Sequence, residues 1–172
     1  PFALGTSYTD TTFGSTPFPN NIYLNSDGYV ALDGFPHQTS GSMINTLIGN
    51  LKSYTRGFGT ASTMYIPLDG PAIQETLPAT AADSLEPDSA IQLIDIDPAS
   101  PEYGRRFPIN WRVQESASLY LAPHTLKIRL VEGLTLRAQT TYALILTDSA
   151  GKPNDTVLTL LGASQPEGLL TQ

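Results

Sequence analysis

The sequence predicts a mainly β fold, an antiparallel β-sandwich with one inserted amphipathic helix at about residues 41–56. Three observations lead to this prediction. The chain has 172 residues, of which 40% are hydrophobic and 15% charged, so it has the length of one domain and is not a disordered composition. Its 14 Gly and 14 Pro indicate many turns, with short apolar runs between them. A single segment has helical instead of alternating periodicity.

The N-terminal part is predicted to be extended. Residues 1–18 form an arm in which Pro17 disfavours helix, and Pro19 does the same immediately after it. Two apolar runs then flank residues 25–28, whose Asp-Gly pair is a strong hairpin signal because Gly tolerates a positive φ. We therefore expect a domain over residues 19–161 that begins with this hairpin.

The predicted helix is defined by one apolar stripe, which we expect to pack on a sheet. Ser40 or Ser42 is placed to cap its start, and Gly57 to end it in the left-handed conformation. The stripe consists of Met43, Ile44, Leu47, Ile48 and Leu51.

Strands dominate the rest of the domain. Residues 71–89 are predicted to be a long connection with one short turn of helix, and residues 162–172 a linker or tail. The predicted strands cover residues 63–68, 91–96, 107–113, 118–121, 125–130 and 140–147.

Charge and composition exclude several classes of function. The net charge is −7, with 9 basic and 16 acidic residues and no basic cluster in the sequence, so we expect no nucleic-acid partner. No apolar run is long enough to span a bilayer, and we expect no membrane insertion. The absence of cysteine excludes disulfides and thiol chemistry. The start at Pro1 without Met indicates processing or a trimmed chain.

The C-terminal half resembles the closing hairpin of bacterial Ig-like domains. In that pattern an aromatic strand with a Thr-Tyr pair ends in an Asp/Ala-Gly turn, as in Leu134–Thr147 followed by Asp148–Pro153. The front half resembles the N-terminal domain of large exported bacterial proteins, including the virulence-factor lipase group. The segments that carry this second resemblance, in order, are Pro17–Asn21, Asp27–Gly28, Gly34–Pro36, Gly57–Gly59, Leu77–Pro78 and Asp95–Pro98.

The resemblance implies an Ig-like sandwich in an exported setting. In the lipase group such a domain precedes an α/β-hydrolase domain, which this sequence lacks. The resemblance therefore transfers no catalytic residue to this chain.

The serines and histidines do not form a recognisable catalytic or metal-binding pattern. A serine hydrolase needs a G-x-S-x-G elbow, which the sequence lacks, so its serines are interpreted as turn and cap residues. His37 and His124 each follow a proline and are far apart, whereas a zinc site needs three or more ligands with short spacing. We interpret both as exposed loop residues, and expect no catalytic, metal or cofactor-binding residue.

Two other features have a functional and a structural interpretation. The acidic residues Asp83, Glu86, Asp88, Asp95 and Asp97 could supply oxygen ligands to calcium, but a solvated acidic face is the favoured interpretation. Trp111 could form part of a sugar-binding platform. It alternates with Phe107, Ile109 and Val113, which favours a core position. Asn154–Thr156 matches a glycosylation acceptor, a match expected by chance.

The leading hypothesis is a non-catalytic structural or interaction module of an exported or cell-surface bacterial protein, acting as spacer, adaptor or assembly unit. It predicts other domains of the same polypeptide or neighbouring surface proteins as partners, and a secreted, periplasmic or outer-surface location. The first alternative is the accessory domain of an extracellular lipase or esterase. The second is a self-assembling subunit in which the arm at residues 1–18 adds a strand to a neighbour.

Overall fold

A computed structural model of the chain describes residues 3–4, 13–14, 16–32, 34–36 and 41–153. The fold is mainly β, as predicted, with two three-stranded antiparallel sheets and one α-helix. In chain order the elements are β1 (Ala3–Leu4), α1 (Met43–Tyr54), β2 (Met64–Pro67), β3 (Ile91–Asp95), β4 (Arg106–Phe107), β5 (Ile109–Gln114), β6 (Thr125–Leu130), β7 (Tyr142–Leu146) and β8 (Lys152–Pro153).

The first sheet has the strand order β2-β6-β5 and is antiparallel throughout. Strand β6 lies in the middle, and its Thr-Leu-Lys-Ile-Arg-Leu sequence alternates between the two faces of the sheet. Leu126 and Ile128 are fully buried on one face, while Lys127 and Arg129 lie on the other. The sheet therefore has one apolar and one polar face.

The second sheet has the order β4-β3-β7 and shares its core with the first. Ile91 and Leu93 of β3 are buried in the same cluster as Ile109 and Ile128 of the first sheet. Residues 74–76 and 83–85 form two short 3-10 turns in the predicted long connection. The main core thus lies between the two sheets.

A single predicted strand is divided between the two sheets at Pro108. Phe107 pairs with Leu93 in the second sheet, whereas Ile109 pairs with Leu130 in the first. Proline cannot donate a hydrogen bond to a neighbouring strand, which makes it a suitable residue at this crossing. The prediction of one continuous strand over residues 107–113 is therefore wrong, although both halves are extended.

Helix α1 matches its predicted position. The Ser42 side chain accepts a hydrogen bond from the Asn45 N–H (3.1 Å), which caps the first turn. The helix ends before Gly57, at Thr55 in an extended conformation, so the predicted glycine cap is wrong. Gly57 does have a positive φ (+67°), but its N–H donates to the Gly28 carbonyl of the hairpin turn.

The helix does not pack on a sheet, contrary to the prediction. Its buried residue Ile48 packs in a second, separate core with Tyr23 and Val30, and aromatic rings from residues 13–58 surround them. Two residues of the predicted stripe, Met43 and Leu47, are 79% and 55% exposed. The other three residues of the predicted stripe, Ile44, Ile48 and Leu51, face this second core.

The N-terminal segment pairs with its own chain where the structure describes it. The backbone of Phe18 exchanges two hydrogen bonds with Tyr65 at the outer edge of β2 (2.9 and 2.7 Å). Strand β1 pairs in parallel with β8. These pairings attach parts of the predicted arm to the domain.

The remaining sequence predictions have mixed outcomes. The Asn25–Gly28 turn is confirmed, with Gly28 at φ +79° and a bridge between Leu24 and Val30. The predicted strand at residues 118–121 is wrong, because the Ser118 N–H bonds to the Leu121 carbonyl and closes a turn. Residues 162–172 lie outside the described residues. Among the described helices, none combines the length and the apolar character needed to cross a membrane.

Candidate functional site: a basic sheet face

The polar face of the first sheet gathers three cationic side chains of an otherwise acidic protein. Because side chains alternate along a strand, β6 places Lys127 and Arg129 on this face and β5 places Arg112 there. We call this surface the basic face. Its residues are Thr63, Tyr65, Asn110, Arg112, Lys127 and Arg129, and they line an open depression of about 600 Å³.

The strand register sets these side chains in two rows. Tyr65, Lys127 and Arg112 lie directly opposite one another across three strands. Arg129 lies opposite Asn110 in the next row. Since neighbouring strands are about 4.8 Å apart and alternate residues on a strand about 7 Å apart, the three cationic side chains emerge within roughly 5–9 Å of each other.

The pair of Arg112 and Lys127 is unfavourable for stability, since like charges directly opposite each other in a sheet repel. Lys127 Nζ donates to the neutral side-chain oxygen of Gln114 (3.0 Å). Arg129 Nη2 donates to Glu132 Oε1 (2.7 Å) in an exposed ion pair. The fold therefore places two cations side by side with little neutralisation around them.

Arg112 is the residue that most requires an explanation. Its side chain is exposed, and within the described part of the chain it makes no hydrogen bond or ion pair. By contrast, Arg105 and Arg137 both pair with Glu102 elsewhere on the surface. As far as the described residues show, the Arg112 guanidinium therefore has no protein partner that would compete with a ligand.

At the centre of the basic face, the backbone N–H and C=O groups of β6 are used within the sheet, so this surface consists of side chains. Strand β6 is paired on both sides. The outward backbone groups of Tyr65 are bonded to Phe18, and the outward N–H of Ile109 donates to Ser84 Oγ (3.0 Å). A ligand at this face must therefore be bound mainly by side chains.

The histidine prediction is only partly tested. His37 lies outside the described residues. His124 is half-buried, 29% exposed, and its Nδ1 is buried 3.6 Å from Glu115 Oε2, so the interpretation as an exposed loop residue is wrong for it. Its φ is +56°, at the turn before β6.

The acidic residues do not converge. Asp83, Glu86 and Asp88 are exposed, as expected of a solvated acidic face. Asp95 is fully buried, so the interpretation as a solvated acidic residue is wrong for it. Its carboxylate accepts hydrogen bonds from the Asp97 N–H (2.9 Å) and Ser100 Oγ (2.6 Å) and thereby organises the turn after β3. Among the described residues, no group of three His, Asp or Glu side chains could hold a metal ion.

Trp111 is half-buried and packs against the main core, as its alternation with apolar residues predicted, and it also borders the depression of the basic face. Its indole Nε1 donates to the Pro78 carbonyl (2.7 Å) and thereby fixes the long connection to β5. The glycosylation match at residues 154–156 lies outside the described residues.

The basic face was not predicted from the sequence, and the expectation of no basic cluster is wrong for the folded protein. The alternation of Lys127 with Arg129, and of Asn110 with Arg112, was visible in the sequence. What it could not show is that β5 and β6 are neighbours with Arg112 opposite Lys127. The cluster is created by strand register.

Comparison with known proteins adds no independent identification. No protein family, curated protein or solved structure matches this chain.

Proposed function

We propose that this chain is a non-catalytic interaction module of an exported or cell-surface bacterial protein, and that its basic face binds a negatively charged partner. The observation that carries the proposal is the exposed guanidinium of Arg112, which has no partner among the described residues and lies directly opposite Lys127. Natural sheets avoid such like-charge pairs, because each one lowers stability. A ligand anion between the two cations converts the repulsion into two attractions.

We assign the domain to the Ig-like sandwiches as part of this proposal. Support comes from the two antiparallel sheets around one core. Further support comes from β7, which forms within residues 140–147, where the Ig-like hairpin pattern predicts a strand. The exported setting rests on the sequence resemblance and on the low charge content. In this setting the module links the polypeptide that carries it to an acidic neighbour.

The proposal is tested by chromatography on a cation-exchange matrix at low ionic strength and neutral pH. An acidic protein with a net charge of −7 is retained there only through a local basic surface. We compare Arg112→Gln/Arg129→Gln with Arg105→Gln/Arg137→Gln, which has the same net charge. The first variant should elute at lower salt than the second. Equal elution of the two variants contradicts the proposal.

The alternative of self-assembly through the N-terminal arm is less well supported. Ala3–Leu4 pairs with Lys152–Pro153, and Phe18 pairs with Tyr65, all within one chain. Those backbone groups would have to be released before the arm could add a strand to a neighbour. The basic face needs no such rearrangement.

A further inference from the structure

We infer that the partner of the basic face is an acidic polysaccharide whose sugar units carry carboxylates. This inference rests on the proposed function, which requires only that the partner be anionic. It names the chemical class of that anion from the side chains around the depression.

The cations fit several separate carboxylates better than one. Arg112 and Lys127 emerge from neighbouring strands, and Arg129 lies one row further along β6. Arg112 and Lys127, whose Cβ atoms are roughly 5 Å apart, can share one carboxylate, whereas Arg129, roughly 7–9 Å from them, is placed to bind a second. Arginine binds a carboxylate through two parallel N–H···O bonds, and lysine through a point charge. A chain with repeated carboxylates can therefore engage the three cations in turn.

The neutral residues of the basic face fit sugar hydroxyls. Asn110 presents an amide that both donates and accepts hydrogen bonds, and Thr63 presents a hydroxyl. The Tyr65 ring lies beside Lys127 in the same row, and its position is supported by the Phe18 ring with centroids 6.5 Å apart. An aromatic ring with a polar end can contact the apolar side of a sugar while its hydroxyl stays hydrated.

The same geometry disfavours single-stranded nucleic acid and two of the ways in which an acidic peptide binds. Strand addition needs an open sheet edge and a docked helix needs an apolar groove, whereas the basic face offers a paired central strand and polar side chains. An acidic peptide held by a cluster of arginines is the remaining competitor, and poly-L-glutamate tests it. Single-stranded nucleic acid is held by several stacking aromatic rings along a basic groove. Two aromatic residues, Tyr65 and Trp111, line the depression in the described part of the chain, and Trp111 packs against the main core, which leaves the Tyr65 ring for stacking.

The test is a binding titration with soluble polymers by calorimetry at low ionic strength. The probes are polygalacturonate, the same polymer with its carboxylates methyl-esterified, poly-L-glutamate and single-stranded DNA. The variants are Arg112→Gln and the control Arg137→Gln, which removes an equal charge from a residue that pairs with Glu102. Because Arg112 has no partner in the described structure, its substitution should leave the fold intact, which a thermal melt verifies.

We expect polygalacturonate to bind, its methyl ester not to bind, and Arg112→Gln to weaken binding about tenfold while the control stays within twofold of the wild type. Failure of polygalacturonate to bind, or equal effects of the two variants, overturns the inference. If poly-L-glutamate or DNA binds more tightly and depends on Arg112, the polysaccharide is wrong but the anion-binding module stands. If no polymer binds through Arg112, both proposals fall.

Discussion

Replacing Arg112 by glutamate should stabilise the domain while removing its proposed function. The substitution turns a repulsive pair across β5 and β6 into an attractive pair with Lys127. Cross-strand charge pairs contribute about 0.2–1 kcal/mol in either direction, so the two changes together amount to about 1 kcal/mol. For a domain of this size, 1 kcal/mol raises the melting temperature by about 2–4 °C.

The assay is thermal unfolding followed by circular dichroism at two ionic strengths. At about 0.01 M salt the Debye length is about 30 Å, and at 1 M it is about 3 Å, so the stabilisation should shrink strongly at the higher salt. Arg137→Glu is the control, because it places a second acidic group beside Glu102 and should lower the melting temperature slightly. A destabilised Arg112→Glu protein, or a shift that is unchanged by salt, would refute the reasoning.

Three further substitutions test the interpretation of individual contacts by the free energy of unfolding. Asp95→Ala removes a buried acceptor of two hydrogen bonds and should cost about 1–3 kcal/mol in urea titration. Asp97→Ala removes a half-buried carboxylate that accepts exposed hydrogen bonds from the Ala99 and Thr141 N–H groups (3.0 and 3.4 Å), and it should cost less than half as much. Ser42→Ala should cost about 1 kcal/mol through loss of the helix cap, against almost no change for Ser53→Ala; equal effects would contradict the capping assignment. Trp111→Phe keeps a ring in the core but loses the indole donor, so a cost of about 1 kcal/mol is expected and a stabilised protein would show that the bond is unimportant.

The fold was predictable where the chemistry is local. The strand predicted at residues 125–130 has the observed bounds, and its buried and exposed residues alternate as a strand at the core surface requires. Of the two serines predicted as helix caps, Ser42 is the one that caps α1. In both cases the neighbours that decide the structure lie within a few residues.

The errors arose where distant parts of the chain decide the outcome. The apolar stripe of α1 is wider than the core it covers, so Met43 and Leu47 remain exposed although their spacing is helical. The run at residues 118–121 has strand-like residues, but a local turn satisfies its backbone instead. The opposition of Arg112 and Lys127 depends on which strands become neighbours, which no single segment encodes.

The crossing at Pro108 has a mechanical consequence. Phe107 pairs with a strand of one sheet and Ile109 with a strand of the other, so a single residue, Pro108, connects the two sheets at this point instead of a flexible loop. A pulling force along this segment loads hydrogen bonds of both sheets at once, and neither sheet can slide past the other without breaking them. A domain held in this way should resist shear between its two sheets.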